Sequence, residues 1–315
     1  MIITVTLSPT IDKTVYVNNF QLDLVNEIYD TREDAGGKGI NVSKMIKKLE
    51  GNSIATGCIG GRVGNMIIDK LQEDGINYDF VPVQTNSRYN IKLVDIVNKS
   101  FTDINESGGV LTIDEINNLE NKIFSLAKEG DTLVLSGRVP SSIESNIYRK
   151  WIEIGKGKGI KTIIDADLEP LREAVLAGPY VIKPNIHELE RLFQENMNSI
   201  DDIRKHVNKL YQYGIKIVIV SLGDKGAYLF TKEKELYYKG LEVDVKSTVG
   251  AGDSMVGAFA YAIDNNYSIE DAFTLSVSVS TATVQKDGTV MAELEEVNDM
   301  KIRIDGEGKI VCNNL

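Results

Sequence analysis

Short β-branched runs alternate along this chain with longer stretches whose apolar residues recur at helical spacing. Ile2–Leu7, Ile54–Ile59, Thr132–Ser136, Thr162–Asp165, Tyr180–Lys183, Ile217–Ser221 and Ala227–Phe230 are of the first kind and read as strands. Helices are expected after the glycine turns at Gly36-Gly37 and Gly60-Gly61, running to about Leu49 and Glu73. Others are expected over Ile113–Lys128, Ile143–Ile154, His187–Phe193, Ile200–Tyr213 and, as the last, Ile269–Val284. Repeated strand–helix units predict an α/β fold: a doubly wound, mostly parallel sheet with helices on both faces. Ligands of such sheets sit outside the carboxyl ends of the strands, and the glycine turns are expected there.

Two stretches break this rhythm. Thr14–Phe20 with Val25–Arg32, and Arg88–Val97 with Ser100–Asn105, alternate polar and apolar residues like solvent-facing antiparallel pairs. They are expected to form a small β appendage from about residues 12–34 and 87–106. No linker composition separates it, so residues 1–315 are expected to form one domain. An appended sheet with an apolar face, for example Val15, Val17 and Phe20, must bury that face on something.

The chain has 315 residues, 42% of them hydrophobic and 26% charged, enough for a full core. A net charge of -11 argues against a nucleic-acid partner, which needs a basic face. The start, Met1-Ile2-Ile3-Thr4, has no basic leader, no apolar run reaches membrane-spanning length, and Cys58 and Cys312 make no disulfide framework. Cytoplasmic residence is the simplest reading. His187 and His206 are expected on helix surfaces, without chemistry.

The chemistry concentrates at Thr248-Val249-Gly250-Ala251-Gly252-Asp253, followed by small and apolar residues at helical spacing. A glycine turn opening a helix presents free amides and the positive end of the helix dipole to an anion. Asp253 beside that anion could take a proton from an attacking hydroxyl; the plainer alternative is an Asp that caps the helix. Lys183-Pro184-Asn185-Ile186-His187-Glu188 ends a strand and starts a helix. Glu188 suits Mg²⁺ held mainly through waters and phosphates, or simply complements the dipole. Ser221-Leu222-Gly223 and Gly226 form a turn between strands. Asp12, Gly36, Gly37, Asn41, Arg88, Asn90 and Arg138 gather near other predicted strand ends; Arg88 and Asn90 are two apart and share a strand face. Arginine suits bidentate phosphate binding. A Walker-type loop is absent, because Gly39 follows Gly37-Lys38 where Ser or Thr is required.

Taken in order, Thr6-Leu7-Ser8-Pro9-Thr10-Ile11-Asp12, Gly36-Gly37-Lys38-Gly39-Ile40-Asn41, Arg88-Tyr89-Asn90, Ser136-Gly137, Lys183-Pro184-Asn185 with Glu188, Ser221-Leu222-Gly223 and Thr248 to Asp253 make the chain resemble the ribokinase-like (PfkB) sugar kinases. Within them it is similar to ketohexose-phosphate kinases. The resemblance implies a doubly wound core with a small β lid, ATP as co-substrate with Mg²⁺, a sugar phosphate as acceptor, and a homodimer formed through the lid. It implies Asp253 as catalytic base with Gly250, Ala251 and Gly252 as anion hole. Asp12, Gly36, Gly37, Asn41 and Asn90 would hold the sugar, with Lys38, Arg88 and Arg138 on its phosphate. Lys183, Asn185, Ser221, Gly223, Gly226, Thr248, Gly250 and Gly252 would face the nucleotide, and Glu188 the metal. The chain departs from the family pattern at Ser8, where Asn is usual, at Arg138-Val139-Pro140-Ser141-Ser142, and at Asp287.

Overall fold

The computed structural model describes residues 1–307 and the backbone of 310–312. The chain opens with β1 (Ile2–Thr6), β2 (Thr10–Val17), β3 (Ile28–Gly36), α1 (Lys38–Lys48), β4 (Ser53–Ile59) and α2 (Gly61–Glu73). It continues through β5 (Asn77–Tyr78), β6 (Val81–Pro82), β7 (Arg88–Asp95), β8 (Ser100–Asn105), α3 (Ile113–Leu126), β9 (Thr132–Ser136) and α4 (Ile147–Gly157). Then come β10 (Lys161–Asp165), α5 (Leu168–Ala177), β11 (Val181–Ile182), α6 (Ile186–Phe193), α7 (Ile200–Leu210), β12 (Ile217–Ser221) and β13 (Ala227–Phe230). β14 (Glu235–Tyr238), α8 (Ala251–Asp264), α9 (Ile269–Thr283), α10 (Leu294–Glu307) and β15 (Ile310–Cys312) complete it.

Among the described residues the larger sheet has eleven strands, in the order β15-β14-β13-β12-β11-β10-β9-β1-β4-β5, with β6 also on β4. Its pairings are parallel from β5 to β12 and antiparallel from β12 to β15. Strand periodicity sends successive side chains to opposite faces. Ile3, Val5, Leu133, Leu135, Ile164 and Val218 therefore join one core with Leu119, Trp151, Leu171 and Val207 from α3, α4, α5 and α7. Ile2, Val134, Ile163, Val181 and Ile217 join the other with Val42, Val256, Phe259 and Phe273 from α1, α8 and α9. Strands buried on both faces read as continuous apolar runs, which is why they are legible in the sequence.

The second sheet has the order β3-β2-β7-β8 and is joined in the middle by a parallel β2–β7 pairing. Periodicity found the two antiparallel pairs but not this contact between them, which is long-range. One side of the sheet rests on α2: Ile11 and Ala35 cluster with Ile67 and Leu71. Val15 and Val17 are buried within the chain itself, so they need no partner to cover them, whereas Phe20 stays exposed. Around this sheet Phe20, Leu22, Leu24, Val25, Ile28, Tyr29, Ile96, Val97, Phe101 and Ile104 are exposed.

Other expectations shift as well. α10 follows the helix expected to be last, and α5, with Pro170 in its first turn, and the four-residue β14 form where no element is expected. His206 is buried at 1% exposure, its Nδ1 2.7 Å from the Asp202 carbonyl and its ring against Phe193, not on a helix surface. No helix among the described residues is long and apolar enough to cross a membrane.

Candidate active site

The chain moves from β1 to β4 on one side and to β9 on the other, so the sheet has its switch point at β1. Such a point leaves a crevice beyond the carboxyl ends of the strands. A cavity of about 500 Å³ opens there, lined by Thr6 at the end of β1, Ser136 of β9, Asp165 of β10 and Ser221 of β12. The first turns of α1 and α8 contribute Lys38 and Asn41, and Gly252 and Asp253, while Arg88 and Asn90 come from β7 of the smaller sheet. The Gly36-Gly37 turn closes β3 of the small sheet and not a strand of the large one. It still reaches the carboxyl end of β1, because Thr6 Oγ1 accepts from the Ile40 amide at 3.1 Å.

Gly250 caps α8 in the left-handed region, with φ 83°, and no side chain caps this helix. A left-handed turn is cheap for glycine alone. Asp253 therefore does not cap the helix; its Oδ2 accepts from Asn41 Nδ2 at 2.8 Å. Burial pushes the Asp253 carboxyl up to about 6, and Asp165 adds to that, while Lys38, Asn41 and Lys183 pull it back. The Asn41 Oδ1, also buried, has no hydrogen-bond partner among the described residues.

Asp165 is 1% exposed and holds two ammonium groups through one oxygen: Lys38 Nζ lies 3.2 Å and Lys183 Nζ 3.4 Å from its Oδ1. Burial alone would raise the Asp165 carboxyl, but Lys183 and Lys38 hold it below the usual range. Burial works against the Lys38 ammonium, and Asp165, Asp253 and Glu188 more than offset this, so its pKa rises. A Cβ added to Gly252 would stand 3.3 Å from Lys183 Nζ. The lysine thus overlies the N-terminal turn of α8, where charge and helix dipole together favour an anion.

Asn185 and Glu188 form a capping box on α6: Asn185 Oδ1 accepts from the Glu188 amide at 2.9 Å, and Glu188 Oε2 accepts from the Asn185 amide at 2.8 Å. Glu188 nevertheless lines the cavity, and burial foremost, then Asp165, raises its carboxyl. Among the described residues no three His, Cys, Asp or Glu side chains gather closely enough to hold a metal ion. The Asp165 Oδ2 is buried and has no hydrogen-bond partner there. This donor set fits a Mg²⁺ held through few carboxylates and completed by water and phosphate, and does not fit an all-protein cage.

At the small sheet, Asp12 Oδ1 accepts from Thr10 Oγ1 at 2.8 Å and from Asn90 Nδ2 at 2.9 Å. Arg88 donates to Ser8 Oγ at 3.2 Å, to the Glu106 carbonyl at 3.0 Å and to Asn90 Oδ1. Ser8 is thus a support for the guanidinium. Burial lowers the Arg88 pKa; Asp12 raises it and the nearby Arg138 lowers it further. A Cβ at Gly36 would fall 2.2 Å from Asp12 Oδ2, so glycine there makes room for the carboxylate.

A family model described as pfkB family carbohydrate kinase matches residues 5–296. The chain belongs to the PfkB carbohydrate kinase family. It is 36% identical over 306 residues to a 1-phosphofructokinase of Borreliella burgdorferi, covering 96% of this chain and 97% of that one. It is 32% identical to a tagatose-6-phosphate kinase of Staphylococcus epidermidis, over 86% of this chain and 88% of that one. Phosphofructokinase-2 of Escherichia coli, solved in complex with substrates and products, superposes with a TM-score of 0.92 at 27% identity, over 96% of this chain and 99% of that one. The fold is ribokinase-like.

In this PfkB kinase the cavity gathers Gly37, Lys38, Asn41, Arg88, Asn90, Arg138, Lys183, Asn185, Glu188, Ser221, Gly250, Gly252 and Asp253. Asp12 lines a side chamber of about 200 Å³ that shares Asn90 and Val249 with the cavity. Gly36, Gly223, Gly226, Thr248 and Ala251 are not among the lining residues. Gly223 and Gly226 shape the turn from β12 to β13, and the Thr248 carbonyl accepts from the Ala251 amide at 3.4 Å. Sequence reasoning passed over Asp165 and Ser107 as site residues. A carboxylate ending the apolar strand Ile163-Ile164-Asp165 was the available signal for the first; a loop serine offers none.

Proposed function

We propose that this PfkB kinase transfers the γ-phosphoryl group of ATP to fructose 1-phosphate, giving fructose 1,6-bisphosphate and ADP. The observation that carries the reading is Asp253: a buried carboxylate, uninvolved in capping, beside an uncapped helix N-terminus. A carboxylate with a pKa near 6 is ionised at neutral pH and basic enough to share a proton in a transition state. Asp253 takes the proton of the acceptor hydroxyl as that oxygen bonds to the γ-phosphorus. The bond from phosphorus to the bridging oxygen breaks, and its electron pair leaves on ADP.

The turn Gly250-Ala251-Gly252 with Lys183 and Lys38 offers positive charge where the transferred group would collect negative charge. Mg²⁺, when bound, supplies further charge neutralisation, with Glu188 holding it through water. Lys183, Asn185, Ser221, Gly223, Gly226 and Thr248 make up the nucleotide side. Asp12, Gly36, Gly37, Asn41 and Asn90 read the sugar, and Lys38, Arg88 and Arg138 take its phosphate. The strands about 12–34 and 87–106 then act as a lid on a single kinase domain. The same reading makes the protein a cytoplasmic enzyme without nucleic-acid or membrane partners. It is a homodimer through the lid, whose exposed Leu24, Val25, Tyr29 and Phe101 want cover.

Tagatose 6-phosphate is the second acceptor to weigh. As furanoses both sugars carry a phosphomethyl arm at one end and a hydroxymethyl arm at the other, so cations at one end and a base at the other suit either. The ring hydroxyls must decide, because a site built for one arrangement leaves polar groups unpaired with the other. Similarity of Asp103-Ile104-Asn105 and Val249-Gly250-Ala251-Gly252 to 1-phosphofructokinases favours fructose 1-phosphate. ADP release measured with fructose 1-phosphate, fructose 6-phosphate and tagatose 6-phosphate side by side tests this. A higher kcat/KM for tagatose 6-phosphate overturns the acceptor. Release with none of them leaves a catalytically silent sugar-phosphate sensor on this fold.

A further inference from the structure

We propose that Asp165 is a positioning residue for phosphoryl transfer, clamping the Lys38 and Lys183 ammonium groups together, with Lys183 over the N-terminal turn of α8. This rests on the kinase reading above and concerns how its cationic site is held together. The two lysines reach the cavity from different elements, α1 and the segment after β11, and their stems are long and flexible. Left alone, two ammonium groups converging on one anion site would repel each other and splay. Asp165 Oδ1 sits within 3.4 Å of both.

The carboxylate is itself rigid. It ends β10, the strand between β9 and β11, and its backbone is fixed by register with Ser136. At 1% exposure it cannot swing into solvent. One oxygen carries both contacts and the other has no hydrogen-bond partner among the described residues. The arrangement uses one buried charge to place two others, at a desolvation cost that a plain hydrophobic residue would avoid. The placement has a direction: Lys183 Nζ lies within reach of the backbone at Gly252, next to Asp253. Preorganised charge of this kind acts mostly on the transition state, where the transferred group spreads its charge over three oxygens.

Asp165→Asn keeps the shape and removes the charge. Positioning predicts that kcat with the accepted sugar phosphate falls by about 100-fold while its KM changes by less than ~3-fold, since Lys183 overlies the turn assigned to the transferred group and Arg88 with Arg138 remains to hold the acceptor's phosphate. The decisive measurement is the same substitution in a Lys183→Met background, where its effect on kcat should shrink to under ~10-fold. Equal losses in both backgrounds, or a loss confined to KM, would overturn the proposal. Should Asp165→Asn not fold, Asp165→Glu carries the same cycle, because it keeps the charge and displaces it by one methylene. A loss that persists without Lys183 then marks a structural carboxylate. Wild-type enzyme that releases no ADP with any of the sugar phosphates would defeat the kinase reading instead, before any variant is compared.

Discussion

Asn41 and Asp253 stand 212 positions apart in the chain, yet Asn41 Nδ2 donates to Asp253 Oδ2 across 2.8 Å. The bond joins the first turn of α1 to the first turn of α8, and these two helices pack side by side on the same face of the large sheet. It fixes which way the carboxylate points.

Asp253→Asn should lower kcat by roughly two to four orders of magnitude, because the amide cannot accept the proton, with little change in nucleotide affinity. Near-normal turnover in steady-state assays would remove Asp253 from the chemistry.

The same variant should be more stable than the native chain. The folded-state pKa of Asp253 lies above 3.8, at about 6, so the folded protein binds the extra proton between those values. Stability from this group is fully present below about pH 4 and is lost as pH rises through about 6. Keeping this carboxyl ionised in the folded chain costs roughly 3 kcal/mol at neutral pH. Calorimetry at pH 7.5 is expected to place the Asn variant several degrees higher, with the gap closing toward pH 4.5; a lower Tm at pH 7.5 would contradict the raised pKa.

For turnover the sign is the opposite. The base works ionised, so kcat should fall as pH drops through about 6 and level off above it. Rates that stay flat from pH 7.5 to 5 would mean that a group other than Asp253 takes the proton.

Arg88→Ala should raise KM for the sugar phosphate by about 10-fold or more, and that for ATP by less than ~3-fold. Arg88, on β7 of the small sheet, is held by Ser8, Asn90 and the Glu106 carbonyl, and the proposed reading gives it no contact with the nucleotide. Equal effects on both constants would make Arg88 a structural residue of the small sheet.

Sedimentation at low micromolar concentration should find a dimer. Replacing Tyr29 and Phe101, 72% and 64% exposed, with Ser should shift it toward monomer. A native chain that sediments only as monomer leaves the apolar surface of the small sheet without the partner assigned to it.

The layers of the fold are written locally in the chain. Apolar runs such as Leu133 to Leu135 and Ile217 to Val220 are buried on both faces, so each strand carries its own evidence. The Gly250-Ala251-Gly252-Asp253 turn was equally legible, because a left-handed N-cap favours glycine, which has no Cβ. Relations between distant residues emerged only once the chain was packed. A capping aspartate and a free one look alike in sequence; the Asn41 bond and the uncapped α8 separate them. Asp165 reads as the polar end of a strand until Lys38 and Lys183, from two other segments, close on it. Val15 and Val17 alternate like an exposed apolar face, and their burial depends on what packs against them. Periodicity reports how a segment meets an average interior. Which charge meets which is set by long-range packing, and no local pattern carries it.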